Sequence, residues 1–142
     1  IAGGGPTNIV PEQAEIHAET RSLNRDKVER QLESMKRALK SAAETNGGRA
    51  EWDVTLEYES FWLDEDDEVV RRSVQAAQSL GLTGSLHETG GGSDANVFNA
   101  RGLPTVVLGV GYQAIHTHRE HMRVSELVRL SELVVALTQT GM

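Results

Sequence analysis

The chain has 142 residues and no cysteine, and its 21 acidic and 14 basic residues give a formal net charge of −7. This balance disfavours nucleic-acid-binding and membrane-surface proteins, and the lack of cysteine excludes disulfides and thiolate zinc sites. The length is sufficient for one domain or two small ones, and the absence of a long apolar run is typical of a cytoplasmic protein.

The first sixty residues predict a strand, a helix and a second strand. Polar and apolar residues alternate over 12–23, which is the pattern of a strand with one buried and one open face. Asn24 is a candidate cap for a helix that begins at Arg25 and stops at Asn46-Gly47-Gly48. Alternation returns over 50–59. A single helix would cover one face of this sheet and leave the other open, as in a lid above a cleft.

The second half of the chain predicts three helices and two short strands. In chain order these are a helix over 64–81, a strand over 82–87, a helix over 93–101, a strand over 104–110 and a final helix capped by Ser125. The strand over 104–110 is continuously apolar, which is typical of a strand that is covered on both faces. This half resembles part of a three-layer α/β domain, so the chain is expected to divide near residue 60.

The stretch GGGSDANVFN, residues 90–99, places three glycines before the short helix. Glycines allow a backbone to approach a ligand closely and to point its N–H groups at it. The stretch lacks both the GK[ST] ending and the GxGxxG spacing of phosphate-binding loops. Judged alone, it also fits a tight turn in which Ser93 is only a helix N-cap.

Two further features carry candidate binding residues. The run HTHREH contains His116, His118 and His121, and His116 is the most suitable metal ligand because it lies closest to the preceding predicted strand. The spacing fits no single helical metal-binding face, so the other two histidines are expected to be solvated. Arg21 lies on the open face of its strand, where it can clamp a carboxylate; an ion pair with Glu19 or Glu57 is the alternative.

Three ordered stretches, TNIVPEQAEIHAETRSLN, GGGSDANVFNARGLPTVVLGVG and IHTHREHMRV, together closely resemble the co-catalytic zinc peptidases. That family includes peptidase T-like tripeptidases, glutamate carboxypeptidase, aminoacylases and succinyl-diaminopimelate desuccinylase, and the likeness is greatest to the peptidase T-like branch. The resemblance implies an α/β fold with an α+β lid. Residues 1–60 would form a partial ferredoxin-like lid, and residues 61–142 the C-terminal part of a three-layer α/β zinc-exopeptidase domain.

The resemblance also implies roles for individual residues. His116 matches the last metal ligand, and Glu120 matches the acid that supports the histidine loop. Asn8 and Arg21 match the pair in the lid that grips the substrate, with Arg21 binding a terminal carboxylate. The loop that contacts substrate near the scissile carbonyl matches Gly91, Gly92 and Ser93, and Asp94 matches the residue that holds this loop.

The sequence departs from the family in one respect. These enzymes bind two zinc ions largely through an N-terminal segment with an H-x-D and a Glu-Glu pair, and the general base lies in that segment too. No such segment occurs in this sequence. We therefore expect the C-terminal part of a longer enzyme, inactive alone and unable to retain zinc.

The expected function of the full-length protein is that of a zinc-dependent exopeptidase acting on short peptides, with a possible homodimer through the lid. The alternatives are an N-acyl amino acid amidohydrolase of the same family and a non-catalytic α/β module for ligand binding or assembly. No nucleic-acid or membrane partner is expected.

Overall fold

The structure is a computed structural model that describes residues 1–139. The chain divides into two compact units, of which the first is Ile1–Thr55 and the second begins at Leu56. Helices dominate both units, with a small sheet in the first, as expected of the α/β class. The division into domains 1–60 and 61–142 stays a prediction.

The first unit combines one small sheet with one long helix. Strand β1, Ala2–Gly3, pairs antiparallel with β2, Ala14–Glu15. Helix α1, Arg25–Thr45, begins after Asn24, whose side-chain oxygen accepts a 3.1 Å hydrogen bond from the Lys27 N–H, as the sequence predicts. No residue of α1 is fully buried, because neither strand of this unit packs on it.

Most of the predicted strands are absent from the described residues. Of the ranges 12–23, 50–59, 82–87 and 104–110, only Ala14–Glu15 lies in a strand. Alternation and apolar runs fix which side chains share a face, but a strand also needs a neighbouring segment to pair with its backbone N–H and C=O groups. Strand β1 supplies this pairing for Ala14–Glu15, and no segment within residues 1–139 supplies it for the other predicted strands. The strand predictions over 50–59, 82–87 and 104–110 were wrong, and the one over 12–23 holds only at Ala14–Glu15. The ferredoxin-like arrangement of the lid stays a prediction.

The three predicted helices of the second unit are confirmed. They are α2, Glu68–Ser79; α3, Asp94–Ala100; and α4, Val124–Gln139. Ser125 lies inside α4 and does not cap it, because the helix already begins at Val124. Helices α2 and α4 pack against each other. The buried core of the unit comes from α2 and α3, namely Val70, Ala76, Ala77, Ala95 and Asn96.

Helix α4 exposes much of its apolar surface. The sequence spacing of Leu127, Leu130, Val134 and Leu137 predicts one inward-facing stripe on this helix. Leu127 and Val134 are 52% and 50% exposed, whereas Leu130 and Leu137 are half-buried. The stripe is only partly covered because α2 is the one helix of the described part that packs on α4. No helix within residues 1–139 has both the length and the apolar character that a bilayer span requires.

Candidate functional site

The two candidate residues of the first unit, Asn8 and Arg21, are both exposed. Asn8 lies in a turn that is closed by a 3.0 Å hydrogen bond from the Ile9 N–H to the Pro6 carbonyl. The Arg21 guanidinium lies 2.9 and 3.1 Å from the two carboxylate oxygens of Glu19. An exposed ion pair of this kind contributes little free energy, so the carboxylate of a ligand can compete for Arg21.

The glycine loop is shaped by hydrogen bonds to its own backbone. The Gly91 N–H donates to Thr89 Oγ1 at 3.2 Å, and the Ser93 N–H donates to Asn96 Oδ1 at 2.9 Å. Ser93 is the N-cap of α3, as the simpler alternative for this stretch predicted. Between these two amides, the Gly92 N–H has no hydrogen-bond partner within residues 1–139. The loop therefore leaves the Gly92 amide available to a ligand.

The ring of Tyr58 occupies the space that a side chain at Gly92 would need. A Cβ atom added at Gly92 would lie 2.5 Å from the Tyr58 hydroxyl oxygen and 2.6 Å from its Cε1, which is closer than real Cβ atoms come to other heavy atoms. A Cβ added at Gly90 would meet nothing within 4 Å. The close neighbour at Gly92 is thus a side chain of the protein itself, and the predicted close approach of this loop to a ligand stays a prediction.

Asn96 connects the glycine loop to the segment that contains Tyr58. Its side chain is 6% exposed, and its Nδ2 donates a 2.7 Å hydrogen bond to the Glu59 carbonyl. The sequence analysis did not identify Asn96. The available signal was its place three residues after the serine N-cap, where the second residue of a capping box lies. The side chain of Asp94 is exposed and makes no hydrogen bond or ion pair with residues 1–139. Its implied role of holding the loop stays a prediction.

The histidine loop is closed at its base by two backbone hydrogen bonds. The Gln113 N–H donates to the His121 carbonyl at 2.9 Å, and the His121 N–H donates to the Gln113 carbonyl at 3.1 Å. Inside the loop, the His116 N–H donates to Glu120 Oε2 at 2.7 Å. Glu120 thus makes the kind of supporting contact that the family resemblance implies for it.

His116 has a left-handed backbone conformation, with φ at +62°. Such a conformation is uncommon for a residue other than glycine, and it is often retained where function requires it. The imidazole is exposed, and neither of its ring nitrogens has a hydrogen-bond partner in the described part of the chain. By contrast, the Nδ1 atom of His121 lies 2.8 Å from the Arg119 carbonyl. A neutral imidazole with both nitrogens accessible is a suitable zinc ligand.

The described residues do not form a complete metal site. Among residues 1–139, no three His, Asp or Glu side chains are grouped so that they could hold one ion. No hydrogen bond or ion pair between residues of this range joins the histidine loop to the glycine loop. That His116, the glycine loop and Arg21 meet at one cleft therefore stays a prediction.

The contact between Glu120 and His116 predicts a local effect on amide exchange. Replacing Glu120 with alanine is expected to accelerate exchange of the His116 amide proton, because its acceptor is lost. Replacing Glu120 with glutamine should preserve slow exchange, because the amide oxygen can still accept the bond. Hydrogen exchange measured by NMR distinguishes the two, and equal exchange in both variants would contradict the assigned contact.

The comparisons with known proteins agree on one family. The family model described as "Peptidase family M20/M25/M40" matches residues 4–140. The protein named YqjE from Bacillus subtilis is 45% identical over 137 residues, which are 96% of this chain and 37% of that protein. The structure of aminopeptidase PepT from Bacillus cereus covers 98% of this chain at 45% identity with a TM-score of 0.78, and the match is 37% of PepT.

A second solved structure, of a tripeptidase from Staphylococcus aureus, covers 96% of this chain and 36% of its own chain at 35% identity, with a TM-score of 0.85. The chain thus spans a little over a third of the length of these relatives. A family model that covers nearly the whole chain confirms the resemblance inferred from the glycine loop, the histidine loop and the segment around Arg21. The chain belongs to peptidase family M20/M25/M40.

Proposed function

We propose that the full-length protein is a zinc-dependent exopeptidase that hydrolyses short peptides, and that His116 is one of its zinc ligands. The observation that carries the proposal is the histidine loop, in which Glu120 holds His116 in a left-handed conformation with both ring nitrogens accessible. Two of the related structures are named as an aminopeptidase and a tripeptidase, which supports peptides as the substrate class.

The described residues supply only part of the ligand set that a zinc ion needs. His116 would supply one imidazole nitrogen, but a catalytic zinc needs three protein ligands, so we place the others outside the described residues. When bound, zinc would act as a Lewis acid that polarises the scissile carbonyl. We propose that the 142-residue chain alone retains no zinc and is inactive, and equilibrium dialysis showing tight stoichiometric zinc on it would contradict this.

The remaining candidate residues would bind and orient the peptide. Arg21 would exchange Glu19 for the terminal carboxylate of the peptide, which its two-pronged guanidinium can bind through two hydrogen bonds. Asn8 would assist from the same unit, and the backbone of Gly91, Gly92 and Ser93 would border the scissile amide. Because these contacts hold the reacting group in place, they would lower the entropic part of the barrier. We propose the cytoplasm as the compartment.

The decisive experiment compares substrates with the full-length protein, with zinc supplied or chelated. We expect zinc-dependent hydrolysis of a tripeptide with a free carboxylate. The same tripeptide as its C-terminal amide should be hydrolysed more slowly, because it offers no carboxylate for Arg21 to bind. Release of acetate from N-acetyl amino acids, without peptide hydrolysis, would instead support the amidohydrolase alternative. Failure to hydrolyse either class in the zinc-loaded state would support a non-catalytic module.

A further inference from the structure

We propose that Asn96 is a positioning residue for the glycine loop, and that its side-chain amide determines where the Gly92 N–H points. The inference rests on the proposed function, since it takes the glycine loop to contact substrate. It adds a residue outside the set that the family resemblance implies. Asn96 is the one buried polar residue of the described chain, and both ends of its amide are bonded to backbone.

The first step of the argument is that only one orientation of the amide fits. The oxygen accepts from the Ser93 N–H at 2.9 Å, and the nitrogen donates to the Glu59 carbonyl at 2.7 Å. A flipped amide would set nitrogen against an N–H and oxygen against a carbonyl, so both contacts would become repulsive. Because the side chain is 6% exposed, water cannot readily replace either bond.

The second step is that Asn96 and Tyr58 restrict Gly92 from two directions. Asn96 binds the amide of the next residue, Ser93, while the Tyr58 ring blocks movement of the Gly92 Cα toward it. Asn96 also binds Glu59, the neighbour of Tyr58, so the loop and the ring share one anchor. With the amides of Gly91 and Ser93 engaged, the Gly92 N–H is the donor of this triplet that remains for a substrate oxygen.

Asn99 offers a matched control on the same helix. Its Nδ2 donates to the Ala95 and Thr105 carbonyls, both at 2.8 Å, and its Oδ1 accepts from the Thr105 N–H at 3.1 Å. Asn99 is half-buried and anchors the segment after α3, not the glycine loop. Removal of either asparagine therefore breaks side-chain-to-backbone hydrogen bonds, but only Asn96 acts on Gly92.

The test compares Asn96→Ala, Asn96→Asp, Asn99→Ala and Asn99→Asp in the full-length, zinc-loaded protein. We expect Asn96→Ala to lower kcat on a tripeptide by about 10- to 100-fold with little change in KM, because a misplaced donor weakens the transition state more than substrate binding. Asn96→Asp keeps an acceptor for the Ser93 N–H but sets an oxygen against the Glu59 carbonyl, so kcat should fall in this variant too. The Asn99 variants should keep kcat within about threefold of the unaltered protein, even if their Tm falls as much as that of the Asn96 variants.

Equal losses of kcat in Asn96 and Asn99 variants of similar Tm would overturn the proposal, and so would full activity of Asn96→Ala. If Asn96→Ala does not fold, Asn96→Asp with unchanged zinc content decides in the same way. Hydrogen exchange gives a readout independent of activity: the Ser93 amide, whose acceptor is Asn96 Oδ1, should exchange faster in Asn96→Ala than in the unaltered protein or the Asn99 variants. If the unaltered protein hydrolyses no peptide, the proposed function fails, whereas the exchange rates still test the positioning role.

Discussion

Replacing His116 with alanine in the full-length protein is expected to lower kcat/KM on a tripeptide by more than about a hundredfold and to reduce the amount of bound zinc. Changes in residues that merely support a metal ligand already cost roughly 10- to 100-fold in affinity or activity, so loss of a ligand should cost more. Steady-state kinetics and the zinc content after dialysis provide the two measurements.

His118→Ala is the matched control for this variant. His118 lies two residues further along the same loop, is exposed, and has no hydrogen-bond partner within residues 1–139. Its replacement should change kcat/KM by less than about threefold, since surface substitutions away from special features have small effects. If His116→Ala keeps its zinc and its activity, or if both variants lose them equally, His116 is not a zinc ligand.

Replacing Gly92 with alanine is expected to destabilise the second unit by about 1–3 kcal/mol, because an added methyl group forces the Tyr58 ring to move. The atoms that an added Cβ would meet are the ring hydroxyl and two ring carbons of Tyr58, so relief requires the ring to be displaced from its half-buried position. The measurement is the urea midpoint of unfolding, compared at constant slope with the unaltered protein.

Gly90→Ala separates this steric effect from the general effect of replacing a loop glycine. Space around Gly90 is open, so its replacement should change stability by no more than about 0.5 kcal/mol. A double variant with Tyr58→Ala should remove most of the penalty at Gly92, because the two positions are in direct contact. Equal destabilisation by the Gly90 and Gly92 substitutions would show that Tyr58 does not restrict the loop.

The helices could be predicted because their determinants are local. Asn24 caps α1 through a bond to a residue three positions away, and the acidic start and apolar stripe of α2 lie within a few turns of each other. The predicted strands over 50–59 and 104–110 depend on a partner segment, and nothing within those segments reveals whether one is present. The residue pattern of each segment therefore could not predict whether its backbone would be paired.

In the candidate site, too, the features with local determinants could be predicted from the sequence and the long-range contacts could not. Residue type and order identified His116, Glu120 and the glycine loop, and they led to the family that the comparisons confirm. The link from Asn96 to Glu59 spans 37 residues, so no local pattern could predict it. The same is true of the contact between Tyr58 and Gly92.

The sequence alone determined the helices, the family and the chemical type of each candidate ligand, because these depend on side-chain identity and on spacings of a few residues. Only the tertiary structure decided which glycine of the loop lies against Tyr58 and which asparagine anchors the loop. The physical reason is that these choices depend on distances of about 3 Å between segments, and such distances follow from how the chain packs.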